Sequence, residues 1–307
     1  MDPVLAYAHA SIAAGSKSFA LASRLFEPRT RDLATLLYAW CRYCDDVIDG
    51  QEGGQGAVDS DATPAERLAD LDVLTMRALA GDPGDSLPAQ CLARVVAATG
   101  MPGRYPMDLL EGFRIDVEAR PFRTFNDTLT YCYHVAGCVG VMMAIVMGVS
   151  PDDRATLDRA SDLGIAFQLN NIARDVIEDA LNGRRYLPDD WLAKEGLDPA
   201  KFAFPPFRRP LARLVSRLVD EAERYEASAR HGTAALPLRA AWAVLSAAQI
   251  YGDIGRRVRD GGAPALDTRA FTTRGQKLRA VAVALPRAIG RGPGQGGPSR
   301  DGLWTPP

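Results

Sequence analysis

The chain has 307 residues, of which 47% are hydrophobic, and its formal net charge is −2. This length fits two ordinary domains or one large helical domain, and the near-neutral charge gives no reason to expect a nucleic-acid partner. Five cysteines without a second C-x-x-C pair indicate neither a zinc site nor a disulfide framework, so reduced thiols are predicted. No signal peptide is evident, and we expect a cytoplasmic protein that can bind peripherally at the inner membrane.

Helical patterns follow one another along the chain, and no convincing run of alternating β-branched residues predicts a strand. The most clearly marked helix begins where Thr63 and Glu66 form a capping box and Pro64 occupies the first helical position. In order, the predicted helices span about Val4 to Ala14, Thr30 to Asp49, Thr63 to Ala80, Ser86 to Ala98, Pro106 to Ala119, Asn126 to Met147, Pro151 to Leu181, Pro210 to Arg230, Pro237 to Arg259 and Thr273 to Ile289.

No internal linker divides these helices, so one all-α domain is predicted over residues 1–290. Residues 291–307 are rich in glycine and proline, and a disordered tail is predicted there. Its glycine-rich stretch is not expected to bind a nucleotide, because no strand precedes it.

The helix that ends at Asp49 carries a narrow polar strip. Tyr38, Arg42, Asp45 and Asp49 follow one another at steps of four, three and four residues, so they fall within an arc of roughly 60°. Asp45 and Asp49 are close enough to share one cation, although like charges at this spacing repel each other. Either a ligand compensates for that repulsion or the strip faces water.

The helix predicted from Asn126 to Met147 is apolar on nearly all sides, which is typical of a buried helix. Its most apolar run, Val135 to Val149, is too short to span a bilayer. Gly137 and Gly140 lower its intrinsic stability, so close packing or room for a ligand must offset them.

A second polar strip lies on the long helix that ends near Leu181. Gln168, Asn171, Asp175 and Asp179 fall within an arc of roughly 80°, set in a largely apolar surface. One D-x-x-x-D pair is common on solvated helices, but two such pairs with apolar neighbours favour a binding site. Carboxylate and amide oxygens without histidine or cysteine ligands predict Mg²⁺, or alternatively Mn²⁺, together with substrate phosphates.

The segment Ser16 to Phe19 places two hydroxyl groups and a lysine at a predicted helix start. It is either an anion site or an ordinary N-cap. His134 lies in the apolar helix, where a hydrogen-bonded core histidine is favoured over a catalytic base. Asp46 is interpreted as a helix surface charge in preference to an acid that supports the site.

Four segments together resemble the head-to-head prenyl synthases, the family that includes squalene and phytoene synthases. Two of them, Tyr38 to Asp49 and Gln168 to Pro188, resemble the family's first and second aspartate-rich motifs. Ser16 to Phe19 resembles its Ser-x-Ser-Phe element, and Tyr131 to Gly140 resembles its Tyr-Cys-x-x-Val-Ala-Gly-x-Val-Gly segment. The residues in these segments are most similar to those of bacterial phytoene synthases.

The resemblance implies an all-α isoprenoid-synthase fold around a central cavity. It implies Mg²⁺-dependent condensation of two geranylgeranyl diphosphate molecules through a cyclopropylcarbinyl diphosphate to phytoene, the first committed step of carotenoid biosynthesis. NADPH is not expected to take part, and peripheral membrane contact is expected because the substrate and the product are poorly soluble.

The resemblance also implies roles for single residues. Metal and diphosphate would be held by Asp45, Asp49, Asn171, Asp175 and Asp179, with Gln168 beside them. Diphosphate oxygens would be contacted by Ser16, Ser18, Arg42 and Arg184, and the apolar channel would be shaped by Phe19, Tyr131, Val135, Gly137 and Gly140. Tyr38 and Tyr251 would steady cations or move protons, and Arg269 would match a family arginine near the C-terminus.

Two other functions remain open at this point. A related enzyme could use the shorter farnesyl diphosphate to make squalene or dehydrosqualene, since cavity depth sets the chain length. A non-catalytic relative could act as a lipid-binding or assembly factor, but such a protein is expected to have lost the aspartates that are all present here.

Overall fold

The computed structural model describes residues 2–15, 17–51, 62–291 and 299–306 of the chain, and these residues form helices without a strand. Short 3₁₀ turns lie at Pro205–Phe207 and Thr233–Ala235. The helices are α1 Pro3–Gly15, α2 Lys17–Ser23, α3 Pro28–Asp49, α4 Pro64–Leu79, α5 Leu87–Thr99, α6 Arg104–Val117, α7 Phe125–Cys132, α8 Cys138–Val146, α9 Arg154–Leu181, α10 Asp189–Lys194, α11 Arg208–Gly232, α12 Leu238–Ala265 and α13 Arg274–Ile289.

The helix ends follow the local signals in the sequence. Thr63 and Glu66 form the predicted capping box at α4, and Gly50 ends α3 in the left-handed region at φ +63°. Helix α10 was not predicted, because six residues are too few to show a helical period. Helix α12 extends beyond its predicted end, although Gly262 breaks its regular geometry.

Helix α9 runs through the centre of the bundle, between α8 on one side and α11 and α12 on the other. Its buried residues are spread around the helix, among them Leu157, Ile165, Leu169, Ile172 and Val176. A helix enclosed in this way needs apolar residues on several faces, so α9 organises the core. Helix α3 packs against α1, α4 and α5 at the edge of the bundle.

The apolar helix predicted from Asn126 to Met147 is interrupted by a π-turn at Tyr133–Gly137, between α7 and α8. The stretch Phe125–Val146 has 22 residues and is, by length and composition, apolar enough to cross a membrane. It begins before the run Val135 to Val149, which by itself is too short to do so. Because 61% of its most apolar window is buried inside the protein, the stretch serves as a core helix in this fold.

Glycines allow this helix to approach α9 closely. A Cβ atom on Gly140 would lie 2.3 Å from the carbonyl oxygen of Ala160, and one on Gly164 would lie 2.1 Å from that of Ala136. Both obstacles are backbone atoms, which cannot turn aside as a side chain can. Close packing therefore offsets the helix-weakening effect of Gly140.

The end of the chain packs against the bundle. Arg300 binds the buried carboxylate of Asp162, and the backbone N–H of Trp304 donates to the Tyr225 hydroxyl at 3.0 Å. The disordered tail predicted from the glycine and proline content is therefore wrong for residues 299–306. Residues 292–298 lie outside the described part of the chain.

Candidate active site

The polar strip of α3 lies beside an aromatic pair and an ion-pair cluster. The Tyr38 ring stacks on Phe19 with centroids 5.1 Å apart. The Arg42 guanidinium lies 3.3 Å from Asp45 and 2.7 Å from Asp46, so Asp46 is tied to the strip after all. The Nε atom of Arg42 is buried and has no hydrogen-bond partner among the described residues, so a donor remains available for an anionic ligand.

Arg184 brings the two carboxylate strips together. Its backbone N–H donates to the carbonyl oxygen of Asp179 at 2.8 Å, and its guanidinium donates to the Asp49 carboxylate at 2.8 Å. Since Asp49 ends α3 and Asp179 lies in the last turn of α9, one arginine joins the ends of both strips. The structure thus places residues 135 positions apart in the chain at one site.

Asp175 has cationic partners from two parts of the chain. The Nε atom of Arg174 donates to the Asp175 carboxylate at 2.8 Å. Arg269, which lies in the loop before α13, places its Nε atom 3.0 Å from the same carboxylate. Arg269 also lies 3.6 Å from Glu178. Arg269, which the resemblance matches to a family arginine, therefore reaches the second strip. Arg174 reaches it too, although no sequence pattern marked Arg174.

The carboxylates are crowded enough to change their acidity. Partial burial, reinforced by Asp49, raises the pKa of Asp45 to about 6. Burial and the neighbouring Asp175 raise the pKa of Asp179 to about 7, against the opposing effect of Arg184. Burial also raises the pKa of the phenols Tyr38 and Tyr251. Burial of these groups therefore disfavours their charged forms, and a bound cation would oppose that effect at the carboxylates.

Asp179→Asn is expected to stabilise the metal-free protein at alkaline pH. A carboxylate with a raised folded-state pKa adds stability that is present below its unfolded pKa and is lost as pH rises through about 7. The neutral amide avoids that loss, so the variant should gain about 1 kcal/mol over wild type at pH 8. At pH 5 the difference should be smaller, because the loss begins near the unfolded pKa of 3.8 and is complete only above about 7.

Thermal denaturation in a chelating buffer, followed by circular dichroism from pH 5 to pH 8, measures this difference. Asp70→Asn, at an exposed position of α4, is the matched control and should not change the pH profile. A wild type as stable at pH 8 as Asp179→Asn would contradict the raised pKa.

Asp116 of α6 is a site residue that the sequence did not reveal. It accepts hydrogen bonds from the hydroxyl groups of Tyr131 at 2.9 Å and Tyr186 at 3.2 Å, and the two rings stack with centroids 4.6 Å apart. Burial raises its pKa, while nearby Arg184 opposes that rise. No second carboxylate follows it at helical spacing, so no pattern marked it.

A largely apolar cavity of about 370 Å³ begins beside the second strip. Gln168 and Asn171 line one end, and Met147 and Thr156 line the other. Asn171 and Thr156 are 15 positions apart on α9, which corresponds to about 22 Å of helix. The cavity is therefore long, with polar groups at one end, as an amphiphilic substrate requires.

Six of the residues predicted to contact substrate line this cavity. Its lining includes Phe19, Val135, Gly140, Gln168, Asn171 and Tyr251, and the Tyr251 ring stacks on Phe167 at 4.3 Å.

Other predicted residues lie elsewhere or outside the described part. Gly137 packs toward Ser161 and Ile165, and the Tyr131 hydroxyl donates to Asp116, so these two residues are not among those that line the cavity. The predicted anion site cannot be placed, because Ser16 and the side chain of Ser18 lie outside the described residues. His134 is hydrogen-bonded at 2.9 Å to the Asp108 carbonyl oxygen, as expected of a core histidine.

The donor set fits a hard cation that a diphosphate accompanies. Within the described residues no group of three or more histidine, cysteine, aspartate or glutamate side chains forms a ready metal cluster. Mg²⁺ takes only one or two carboxylates and completes its shell with water and phosphate oxygens. Asp45 and Asp49 on one side and Asp179 on the other are carboxylates of this kind, and Arg42 and Arg184 suit the phosphate groups.

Comparisons with known proteins show which family the chain belongs to. A family model described as squalene/phytoene synthase matches residues 12–276. The chain is 48% identical to a 15-cis-phytoene synthase of Pantoea ananas, over 93% of this chain and 92% of the relative. It is 49% identical to a 15-cis-phytoene synthase of Paracoccus sp., over 97% and 96%. Among solved structures, a dehydrosqualene synthase superposes with a TM-score of 0.80 at 26% identity, over 92% of this chain and 95% of the other.

Proposed function

Because the chain belongs to the squalene/phytoene synthase family, we propose that it is a phytoene synthase that joins two geranylgeranyl diphosphate molecules head to head. Relatives named 15-cis-phytoene synthase align with nearly the whole chain, which makes it a prenyltransferase. The observation that carries the proposal is the Arg184 bridge, which sets two carboxylate strips at the polar end of a long apolar cavity.

The polar end suits the departure of a diphosphate. Arg42 and Arg184 offer guanidinium groups to its oxygens, and Asp45, Asp49, Asp175 and Asp179 would hold the cation. A bound Mg²⁺ supplies charge that stabilises the departing diphosphate. Arg184 is well placed to bind this group because its backbone is fixed on Asp179 while its side chain reaches α3.

The apolar end suits the prenyl chains and the allylic cation left after ionisation. Its walls come from α2, α8, α9, α11 and α12 and are largely apolar, which would disfavour the water that could capture a carbocation. The stacked pairs Tyr38–Phe19 and Tyr251–Phe167 present aromatic rings near the polar end, where ring faces attract positive charge. The double bond of the second substrate would attack the cation, and loss of a proton would close the ring of a cyclopropylcarbinyl diphosphate. Departure of the second diphosphate, rearrangement of the resulting cation and loss of a second proton would then give phytoene.

The direct test offers the purified full chain geranylgeranyl or farnesyl diphosphate with Mg²⁺, with and without NADPH, and identifies the hydrocarbon by mass. Phytoene from the longer substrate without NADPH is the expected result, and a chelator should stop its formation. A thirty-carbon product formed preferentially from farnesyl diphosphate would contradict the substrate assignment while leaving the reaction class intact.

The farnesyl alternative rests on the structural similarity to the dehydrosqualene synthase. That protein is 26% identical to this chain, whereas relatives named phytoene synthase reach 44% to 49%. The longer substrate is therefore favoured, and the same product analysis separates the two.

We also propose that the protein works in the cytoplasm and binds anionic lipid at the inner membrane surface through α13. From Thr268 to Arg291 the chain has six basic residues and no acidic one. Leu278 and Ile289 share a face of α13 with Ala282 and are 62% and 65% exposed, and Phe271 before the helix is 71% exposed. A helix with exposed apolar residues flanked by basic ones is typical of binding at an anionic lipid surface.

Leu278→Gln/Ile289→Gln is expected to weaken vesicle binding, because both side chains would enter the lipid interface. Co-sedimentation with vesicles of phosphatidylglycerol and phosphatidylcholine should show about a tenfold loss of affinity. Exposed Val73→Gln in α4 is the control and should bind as wild type does. Equal binding of wild type to purely zwitterionic vesicles would remove the electrostatic part of the proposal.

A further inference from the structure

The C-terminal segment, residues 299–306, is connected to the apolar cavity through a line of polar contacts. Arg300 makes two hydrogen bonds to Asp162, at 2.8 and 2.9 Å, and Asp162 is fully buried. The Ser228 hydroxyl of α11 donates to the same carboxylate at 2.5 Å. Arg159 in turn donates to the carbonyl and hydroxyl oxygens of Ser228, at 2.9 and 3.2 Å.

Arg159 lies at the cavity end that is far from the carboxylates. It lines the cavity together with Thr156, Met147 and Leu236, and it precedes Asp175 by 16 positions on α9, about 24 Å along the helix. Gly232 of α11 faces it closely, since a Cβ atom there would lie 2.8 Å from the Arg159 Cβ. The Arg159 side chain therefore starts at a close contact between α9 and α11.

A charged guanidinium beside an apolar cavity is unfavourable unless hydrogen bonds compensate for its lost hydration. Its guanidinium is held on Ser228, so its aliphatic part faces the cavity while its charge is hydrogen-bonded. Ser228 is fixed by Asp162, and the charge of Asp162 is compensated by Arg300, whose side chain is 17% exposed. Each member thus fixes the next, from the end of the chain to the cavity wall.

We propose that Arg159 forms the end wall of the prenyl cavity and that Arg300, through Asp162 and Ser228, holds it in position. The wall sets the longest prenyl chain that the cavity accepts. Arg159 is the specificity-determining residue, and Arg300 and Asp162 are positioning residues. This inference rests on the proposed prenyl diphosphate activity and adds the device that limits chain length.

The physical basis is steric. A chain longer than the cavity must displace Arg159, which breaks its hydrogen bonds to the carbonyl and hydroxyl oxygens of Ser228. A chain that ends before the wall meets no such cost. Shortening Arg159 therefore favours longer substrates selectively, whereas general damage to the fold would lower the use of all substrates together.

The test compares turnover of geranylgeranyl diphosphate with that of its twenty-five-carbon homologue, geranylfarnesyl diphosphate, by the full-length protein. Arg159→Ala is expected to raise the ratio of kcat/KM for the longer over the shorter substrate about tenfold. Arg159→Lys should keep the wild-type ratio, since its stem fills the same space. Binding of non-reacting thiolodiphosphate analogues of both lengths, measured by calorimetry, should shift in the same direction.

The positioning step needs a variant that folds. Arg300→Gln alone leaves the buried Asp162 charge without its partner, so Asp162→Asn/Arg300→Gln removes both charges together. This double variant should raise the ratio several-fold, less than Arg159→Ala, because the arginine is loosened and not removed. Arg224→Gln is the control, since Arg224 contacts Gly302 in the same segment but has no contact with Asp162 in the structure.

An unchanged ratio in Arg159→Ala with normal circular dichroism would refute the inference, as would an equal fall for both substrates. An unchanged ratio in the double variant would refute the role of Arg300 and Asp162. If wild type turns over no prenyl diphosphate, the proposed function fails, and the analogue binding then decides the inference separately.

Discussion

Replacing Asp49 by asparagine is expected to lower kcat/KM for geranylgeranyl diphosphate by at least about 10³-fold while the helical fold remains intact. Asp49 is the carboxylate of α3 that Arg184 holds at 2.8 Å, at the junction of both strips. An amide of the same shape keeps the packing but removes the charge that a cation requires. Asp175→Asn should have a similar effect from the opposite strip.

Single-turnover and steady-state assays with Mg²⁺ measure this loss, and circular dichroism checks the fold. Asp70→Asn, exposed on α4, is the matched control and should retain normal activity. The assay should find the same loss at saturating Mg²⁺, because the cation site itself is damaged. Activity within tenfold of wild type in either variant would remove the role assigned to the strips.

Replacing Gly164 by alanine is expected to destabilise the protein by at least about 3 kcal/mol. The added Cβ would lie 2.1 Å from the Ala136 carbonyl oxygen and 2.7 Å from the Gly137 Cα. Both are backbone atoms of the π-turn, so relief requires the π-turn and α9 to move apart. That movement would open a close helix contact in the core.

Urea denaturation measures this effect as a lower midpoint for Gly164→Ala. Gly275→Ala in α13 is the control, since nothing lies within 4 Å of the added atom. The control should be unchanged or gain up to about 1 kcal/mol, because alanine favours a helix more than glycine does. A loss below about 1 kcal/mol for Gly164→Ala would show that the helices can separate at little cost.

Local patterns account for what could be predicted from the sequence. Helical periodicity and capping depend on residues a few positions apart, so helix bounds and the two strips followed directly from the chain. The helical repeat of 3.6 residues per turn also predicts that one face of the helix carries Tyr38, Arg42, Asp45 and Asp49. The family resemblance then required only that such short motifs be present.

Other features depend on contacts between residues far apart in the chain, and local sequence patterns do not predict such contacts. Asp116 joins the site only because α6 packs beside the Tyr131 and Tyr186 rings. The glycine composition of the tail predicted disorder, yet one buried carboxylate 138 positions away fixes Arg300. In both cases the energy comes from a contact between distant elements.

Asp45 and Asp49 show most clearly what local sequence determines and what tertiary packing determines. The sequence by itself determined that these like charges share a helix face, since that follows from 3.6 residues per turn. Only the tertiary structure decided what stands opposite them, because Arg184 reaches Asp49 from a loop that α9 positions. Periodicity is a property of one helix, whereas compensation of charge is a property of how helices pack.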